Sequence, residues 1–425
     1  MIDIRLIRNE PELVKENLIK KFQQEKLPLI DKVIKLDVEH REAIAEADSL
    51  RNIRNVKSKE IGALMAQGKK DEAEKTKKEV SEIAPRLEKL QALESELSVK
   101  IKEIMMVIPN IMDASVPMGK DDSENVEVAK FGDTTPPAFE IPYHIDIMES
   151  LNGVELDSAR KVSGSGFYYF KGNIARLQSA LLSYARDFMI DKGFTYYIPP
   201  YMIRGAVATG VMSFDEMDNM MYKIEGEDLY LTGTSEHSMI GKFIDTIIKP
   251  EDLPQTLTSY SPCFRKEVGA HGIEERGVYR VHQFEKQEMI VVCEPEDSME
   301  WFDKLYNHTI EFFTSLNIPV RALECCSGDL ADLKVKSIDI DAWSPRQQKY
   351  FEVGSCSNLG EAQSRRLALR IRGESSNYYP HTLNNTVMAT TRTMISFLEN
   401  NLNEDGSVNI PEKLRAYMGG MDRIK

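Results

Sequence analysis

A heptad repeat of apolar residues between residues 33 and 108 is the feature that most constrains how this sequence can fold. In its second half, alternating three- and four-residue steps connect a series in which only Glu94 is polar: Val80, Ile83, Leu87, Leu90, Glu94, Leu97, Ile101, Ile104 and Ile108. The first half keeps the same rhythm less regularly, through Leu36, Ala43, Ala47, Leu50, Ile61 and Leu64. Gly68 lies between the halves, where a glycine can end a helix and reverse the chain. The pattern predicts an antiparallel two-helix coiled coil with its tip near residues 66–71.

Pro85 falls inside the second predicted helix. Proline has no backbone N–H, and its ring collides with the preceding turn, so it disturbs a helix interior. We therefore expect this helix to kink at Pro85 or to restart there.

Basic residues accumulate in the outer part of the predicted arm. Residues 51–78 contain nine Lys and Arg against four Asp and Glu, whereas the whole chain has 54 basic and 68 acidic residues and a formal net charge of −14. Such a hairpin is commonly a spacer or a dimerisation element with a solvated charged face. A basic arm is also what gripping an RNA backbone requires. The residues that would make this contact are Arg51, Arg54, Lys57, Lys69, Lys70, Lys75, Lys77 and Lys78.

Composition indicates an ordinary folded protein of more than one domain. The chain has 425 residues, of which 42% are hydrophobic. No run approaches the roughly 18 apolar residues that a membrane span needs, and charged residues occur from the start of the chain, so we expect a cytoplasmic protein with no membrane contact. The five cysteines show no metal or disulfide spacing and are expected to be reduced thiols, with metal binding as the alternative.

The rest of the chain predicts a mixed body after a linker. Residues 113–125 are rich in Pro, Gly, Ser and Asp, as linkers are. Further along, short apolar strands alternate with helices but lack the regular repeat of a doubly wound parallel sheet, which favours an antiparallel α+β body. We therefore divide the chain into an arm domain at 1–110, a linker at 111–130 and the body at 131–425.

Residues 264–288 carry the clearest chemical signal, because they predict two strands joined by a glycine-containing loop. Alternate side chains of a strand share a face, so Arg265 is expected beside Glu267, and Phe284 on one face with Glu288. At about 3.3 Å per residue, the latter two stand roughly 13 Å apart. This suits a nucleotide base stacked at one end, a small cation held at the other and a phosphate on Arg265. The hairpin is typical of an aminoacyl-adenylate site.

Plainer interpretations remain open for these residues. Arg265 can form a surface salt bridge with Glu267, and Phe284 can simply fill the core. The Glu288 carboxylate requires a cationic partner, and a substrate ammonium is one candidate. Internal alternatives for that partner are Lys286 and Arg280.

Three further clusters fit the same chemistry. Thr234, Ser235 and Glu236 lie in a polar turn, although such a turn can be merely a helix cap. Another pair, Glu352 and Ser355, offers hard oxygens for magnesium, which by itself is a weak metal signal. Finally, Thr386 and Arg392 flank the start of a predicted helix, where the arginine either holds a terminal phosphate or is solvated.

Taken together, these segments resemble the seryl-tRNA synthetase family of class II aminoacyl-tRNA synthetases, from Met1 to about Met421. Residues 264–288 resemble class motif 2 in its seryl form, and Gly193-Phe194 with Pro200 is similar to motif 1. Residues 383–393 resemble motif 3 in the version of archaeal and eukaryotic cytosolic members. The segments 3–8 and 11–14 are similar to the family's N-terminus, and 116–121 is similar to its linker. Six collinear motifs together with a coiled-coil arm make the resemblance specific.

The resemblance implies both a fold and a reaction. The fold is an N-terminal tRNA-binding domain followed by a class II catalytic domain whose central antiparallel sheet is flanked by helices. The reaction is that of a serine–tRNA ligase, in which L-serine and ATP, with Mg²⁺, form seryl-adenylate and pyrophosphate. The seryl group then passes to the 3′ end of tRNA(Ser), and the selenocysteine tRNA is a further candidate substrate. The resemblance also implies a homodimer, and an arm that holds the tRNA.

The resemblance further implies residue roles, in three overlapping sets. The ATP set is Arg265, Lys266, Glu267, Arg276, Phe284, Glu352, Val353, Gly354, Ser355 and Arg392, of which Glu352 and Ser355 would carry Mg²⁺. The serine set is Thr234, Glu236, Arg265, Glu288, Asn384 and Thr386. Catalysis would rest on Arg265 at the α-phosphate and Arg392 at the γ-phosphate.

Two rival functions compete with this one. A related ATP-dependent ligase would charge a carrier protein, but such relatives lack the coiled-coil arm that the heptads predict. A catalytically inactive paralogue would act only as an RNA-binding or scaffold protein. It would have no reason to retain Arg265, Glu288 and Arg392 together.

Overall fold

The computed structural model of the protein describes residues 1–267 and 277–425. Two compact units are present in this part of the chain: Ile2–Ile108, and Pro109–Lys425 together with Met1. The first unit is helical, with α1 at Ile4–Asn9, α2 at Pro11–Lys20, a 3₁₀ turn at Gln24–Lys26, α3 at Leu27–Ala66 and α4 at Lys70–Val107.

Helices α3 and α4 form the antiparallel pair that the heptads predict. Seam residues from the two helices are buried against each other, among them Ala43, Ala47, Leu87 and Leu90. Ion pairs across the seam follow the same antiparallel order, with Arg86 to Glu46 at 2.7 Å and Lys57 to Glu79. The chain reverses at Gly68, whose φ of 76° suits a residue without a Cβ. The predicted coiled-coil hairpin is confirmed. Helix α4 runs through Pro85, so of the two alternatives for this position, a kink or a restart, the restart is wrong.

The second unit is built on a mostly antiparallel sheet. Its strands are β1 Val126–Phe131, β2 Val154–Glu155, β3 Tyr169–Phe170, β4 Thr195–Tyr197, β5 Met202–Ile203, β6 Tyr230–Leu231, β7 Ile247–Ile248, β8 Gln255–Phe264, β9 Gln283–Cys293, β10 Val320–Glu324, β11 Lys336–Ser344, β12 Lys349–Asn358, β13 Arg370–Ile371, β14 His381–Ala389, β15 Val408–Asn409 and β16 Arg423–Ile424. Eight of these form the main sheet in the order β1-β10-β11-β12-β14-β9-β8-β4 within the described residues. Among the described strands of that sheet, only the edge pair β4–β8 is parallel, which confirms the predicted α+β class.

Helices cover both faces of this sheet. They are α5 His144–Ser150, α6 Leu156–Ser163, α7 Gly172–Asp191, α8 Gly205–Val211, α9 Phe214–Met220, α10 Ser235–Gly241, α11 Ser298–Ser315, α12 Ala362–Arg366, α13 Thr390–Asn401 and α14 Glu412–Arg415. Alternate residues of β9 enter two different cores. Met289 and Val291 pack in the core with α7, α11 and α13, whereas Ile290 and Val292 pack with α8 and α10. Lys286 and Glu288 continue the face of Ile290, because a strand repeats every two residues.

The strands of the predicted hairpin are shifted relative to the sequence prediction. Strand β8 ends at Phe264, so Arg265 and Glu267 lie beyond it. Glu267 has a φ of 46°, in the left-handed region, so the expected extended strand is wrong at this position. Strand β9 begins at Gln283 and carries Phe284 and Glu288 as expected.

Two further properties bear on the sequence predictions. In the ranges 1–267 and 277–425, no helix has the length and apolar character to cross a membrane. All five cysteines are buried and unpaired thiols.

Candidate active site

A cavity of about 410 Å³ in the second unit collects most of the side chains that the sequence predicts to bind substrates. The predicted residues that line it are Thr234, Glu236, Arg265, Glu267, Phe284, Glu288, Glu352, Val353, Gly354, Ser355, Asn384, Thr386 and Arg392. Among the described residues, Lys266 is the predicted ligand outside this lining, and its ammonium donates to the Asp218 carbonyl at 3.0 Å. Arg276 lies outside the described residues.

The Arg265 guanidinium is held against the aromatic ring of Phe284, near the start of β9. Its Nε donates to the Gly233 carbonyl at 3.2 Å, and its Cζ lies 5.3 Å from the centre of the Phe284 ring. The Arg265 carbonyl accepts a 3.0 Å hydrogen bond from His282 Nδ1. Phe284 is half-buried, so it packs against the core and also faces the cavity. Both interpretations of Phe284 therefore describe part of its environment.

Glu267 forms an ion pair with Arg280, whereas the plainer interpretation of the sequence pairs it with Arg265. Arg280 Nη1 donates to Glu267 Oε2 at 3.2 Å. Both side chains line the cavity, so an ion pair already lies where a nucleotide base is expected.

Glu288 is buried in the cavity lining and has two partners. It is 1% exposed. The Lys286 ammonium forms an ion pair with its carboxylate, and the Thr386 hydroxyl donates to Oε1 at 2.9 Å. Lys286 Nζ also lies 3.5 Å from Thr234 Oγ1. Of the alternatives for the cationic partner of Glu288, the structure shows the internal one, Lys286.

The segment from Thr234 to Glu236 is both a helix cap and a part of the cavity. The Thr234 side chain caps α10 by accepting from the Glu236 N–H at 3.4 Å. Gln363 donates to Glu236 Oε1 at 2.8 Å. Burial, opposed in part by the hydrogen bond from Gln363, raises the pKa of Glu236 to about 7. Glu236 is therefore a carboxyl group that changes charge near neutral pH.

A second charge pair in the cavity lining joins Arg392 and Glu352. Arg392 Nη1 donates to both the carboxylate and the carbonyl of Glu352 at 3.0 Å, and its Cζ lies 4.8 Å from the Tyr279 ring centre. Ser355 Oγ lies 3.4 Å from Lys334 Nζ. The arginine is thus held in place by a carboxylate and an aromatic face.

The oxygens near Ser355 fit a magnesium ion that a nucleotide brings with it. Glu352 supplies a partly exposed carboxylate and Ser355 a hydroxyl, both facing the cavity. Asp339 is the register partner of Ser355, and burial together with the charge of Glu352 raises its pKa to about 6. Mg²⁺ prefers one or two such carboxylates together with phosphate and water oxygens.

The cavity lining also contains side chains outside the predicted ligand sets, chiefly Lys286, Lys334 and Asp339. Lys286 lies on the same strand face as Phe284 and Glu288, and this shared face is a signal that could place it in the cavity. The sequence prediction names it only as an internal partner of Glu288. Lys334 and Asp339 had no such signal, since Asp339 meets Ser355 only through the pairing of β11 with β12, and Lys334, just before β11, meets the same serine from 21 positions away.

The predicted RNA-contacting residues lie on α3, on α4 and at the turn between them. Arg54, Lys69, Lys70, Lys75, Lys77 and Lys78 are exposed. Arg51 and Lys57 are half-buried and engage Asp48 and Glu79 respectively. Most of the set is therefore available to solvent.

Family models match both parts of the chain. Residues 1–112 match the model described as "Seryl-tRNA synthetase N-terminal domain". Residues 221–401 match "tRNA synthetase class II core domain (G, H, P, S and T)". The second match spans the cavity residues from Thr234 to Arg392.

Curated relatives and solved structures are similar over nearly the full length. The serine–tRNA ligase of Methanospirillum hungatei is 41% identical over 421 residues, covering 98% of this chain and 99% of that protein. The crystal structure of seryl-tRNA synthetase from Pyrococcus horikoshii complexed with ATP superposes with a TM-score of 0.93 at 40% identity, covering 100% of this chain and 99% of that one. The cytoplasmic serine-tRNA ligase of Naegleria fowleri in complex with AMP gives 0.89 at 31% identity, with the same coverage.

Proposed function

This chain belongs to the seryl-tRNA synthetase family, and we propose that it activates L-serine with ATP and transfers the seryl group to tRNA(Ser). The observation that carries the proposal is a single cavity with two kinds of recognition group. Guanidinium groups of Arg265 and Arg392 suit phosphates, whereas the bonded pair of Glu288 and Thr386 suits an ammonium beside a hydroxyl.

ATP binds along the Arg265 to Arg392 axis of the cavity. Arg265 holds the α-phosphate, and the neighbouring Phe284 ring stacks on adenine. The position of Phe284 beside Arg265 in the cavity lining supports this arrangement. Glu267 accepts from the adenine amino group after Arg280 moves aside. Arg392 holds the γ-phosphate, an anion that replaces its present partner Glu352.

Backbone at the cavity floor and Mg²⁺ complete the nucleotide site. Val353 and Gly354 line the cavity beside Glu352 and Ser355, and these last two would hold the ion. Bound Mg²⁺ supplies charge neutralisation on the phosphate oxygens. The predicted contacts of Lys266 with ATP and of Arg276 with pyrophosphate stay predictions.

Serine binds in the same cavity through its ammonium and its hydroxyl group. Thr234, Glu236 and Glu288 surround the α-ammonium, which their shared lining supports. The serine hydroxyl donates to the Thr386 oxygen, with Asn384 beside it. A site built around a hydroxyl rejects alanine, because alanine leaves buried polar groups unpaired. The buried wall around Thr386 excludes the extra methyl group of threonine.

The reaction proceeds in two steps without a side-chain nucleophile. A serine carboxylate oxygen attacks the α-phosphorus in line, a P–O bond forms, and pyrophosphate leaves with the electron pair of the broken bond. The ribose hydroxyl at the tRNA 3′ end then attacks the carbonyl carbon, and AMP leaves. Fixed guanidinium groups at Arg265 and Arg392 stabilise the charge that develops on phosphate oxygens, and the cavity aligns the reactants.

The helical pair serves as the tRNA arm in this proposal. The exposed lysines near its turn supply the positive charge that a phosphate backbone needs. The division into a tRNA-binding domain at 1–110, a linker at 111–130 and a catalytic domain at 131–425 follows the same assignment. The homodimer and the selenocysteine tRNA stay predictions from the family resemblance, and the cytoplasmic location stays a prediction from the distribution of charged and apolar residues.

ATP–pyrophosphate exchange over a panel of amino acids tests the proposal. We expect exchange with serine and little with alanine or threonine. Exchange with alanine or threonine but not serine, or with no amino acid, refutes it. Charging of a carrier protein in place of tRNA would favour the rival ligase. Glu288→Gln, which keeps the shape but removes the charge that holds the ammonium, should raise KM for serine and leave KM for ATP nearly unchanged.

A further inference from the structure

Lys286 occupies the part of the cavity where the substrate ammonium would be held. It lies on β9 between Phe284 and Glu288 and on the same face of the strand. Lys286 is 8% exposed, its ammonium is paired with the Glu288 carboxylate, and its Nζ lies 3.5 Å from Thr234 Oγ1. Two of the groups assigned to the serine ammonium are therefore already engaged by a cation of the chain itself.

We propose that Lys286 is an internal stand-in for the substrate ammonium and makes the site selective for zwitterionic amino acids. When serine binds, its α-ammonium takes over Glu288 and Thr234, and the displaced Lys286 ammonium pairs with the serine carboxylate. Lys286 is thus a specificity-determining residue. The inference rests on the proposed function, because it takes serine as the ligand of this cavity.

The cost of displacing Lys286 produces the selectivity. A buried ammonium without a counter-ion is strongly unfavourable. Arg265, also in the lining, is a cation and offers no replacement for Glu288. The charge of Lys286 favours the ionised form of Glu236. Burial nevertheless raises the pKa of Glu236 to about 7, and Gln363 already donates a hydrogen bond to this carboxyl group, so Glu236 is a poor replacement for Glu288. A ligand with its own carboxylate brings the missing anion into the cavity, and an amine without one does not.

Serine and ethanolamine form the test pair, because they differ only by the carboxylate. Dissociation constants of both are measured by ligand-observed NMR titration of the full chain. The ratio of the ethanolamine constant to the serine constant should be large in the wild type. In Lys286→Met, the ratio should fall by about tenfold or more. Ethanolamine then binds without leaving the Lys286 ammonium buried and unpaired, and serine loses the contact between its carboxylate and that ammonium.

Two control variants separate this effect from general damage. Lys286→Arg keeps a cation on β9 and should retain most of the wild-type ratio. Lys304→Met removes an exposed lysine that pairs with Glu300 at 2.6 Å, and should leave the ratio unchanged. Circular dichroism verifies that each variant is folded.

A wild-type experiment keeps the inference testable if Lys286→Met does not fold. Formate supplies a separate carboxylate, so it should accept the displaced lysine and tighten ethanolamine binding by about threefold or more. An unchanged ratio in a folded Lys286→Met, or no effect of formate on the wild type, overturns the inference while serine binding still supports the proposed function. A wild-type chain that binds no serine refutes the proposed function, and the inference with it.

Discussion

The Thr386 hydroxyl donates a 2.9 Å hydrogen bond to Glu288 Oε1 on the neighbouring strand of the sheet. The two residues are register partners of β14 and β9, and an irregularity in this pairing follows directly after Thr386. Both are buried, at 6% and 1% exposure. Because the hydroxyl proton is engaged by Glu288, the Thr386 oxygen is left to accept a hydrogen bond from a ligand. The pair joins the ammonium site to the hydroxyl site.

Removal of the Thr386 hydroxyl should weaken serine activation selectively. Thr386→Val keeps the shape but takes a donor from buried Glu288 and an acceptor from the serine hydroxyl. We expect kcat/KM for serine in pyrophosphate exchange to fall about 10- to 100-fold, corresponding to about 1–3 kcal/mol. Thr386→Ser restores the hydroxyl and should stay within about threefold of the wild type, since the lost contact is apolar. An equal loss in both variants would contradict the role of the hydroxyl.

Serine binding should depend on pH through Glu236. Its pKa of about 7 lies above the ordinary value, so the group is protonated and neutral below pH 7 and ionised above it. Only the ionised form attracts the serine ammonium, so KM for serine should fall as the pH rises from 6 to 8. Steady-state exchange across this range measures the effect. The Glu236→Gln variant should flatten the profile, and an unchanged profile in that variant would assign the titration to another group.

Neutralising the lysines near the turn of the arm should impair tRNA charging alone. We consider a variant with glutamine at all five exposed positions: Lys69, Lys70, Lys75, Lys77 and Lys78. KM for tRNA should rise about 10- to 100-fold, and its dependence on salt should become shallower, because fewer counterions are released. Pyrophosphate exchange should be unaffected.

The control for this variant places glutamine at exposed lysines toward the other end of α4, Lys89, Lys100 and Lys102. Its charging kinetics should stay close to those of the wild type. Equal effects of the two sets would indicate a general charge effect and not a contact near the turn.

The seam of the arm can be tested with two leucines of the same helix. Leu90 is 2% exposed and packs across the seam, whereas Leu93 is 40% exposed. Leu90→Ala should lower the free energy of unfolding by about 2–5 kcal/mol, because it leaves a cavity. Leu93→Ala should cost less than about 1 kcal/mol. Chemical denaturation followed by helical circular dichroism measures both, and equal costs would contradict the seam.

Local regularities made the arm and half of the cavity predictable from sequence. A heptad seam depends on residues three and four positions apart in one helix. The shared face of Phe284 and Glu288 depends on residues four positions apart within β9. The strand prediction failed at Glu267, where the backbone enters the left-handed region. No apolar alternation marks such a point.

The sequence by itself determined the helical arm, the α+β class and the residue types suited to phosphate and ammonium recognition, because these depend on short-range periodicity and side-chain chemistry. Only the tertiary structure decided which charges meet. Sheet register places Thr386 opposite Glu288 although 98 positions separate them. The packing of α13 beside β12 brings Arg392 to Glu352 from 40 positions away. Burial, which requires the packed fold, raises the pKa of Glu236 and makes the pairing of Lys286 with Glu288 costly to break. Desolvation and long-range pairing are properties of the assembled sheet, so no local pattern encodes them.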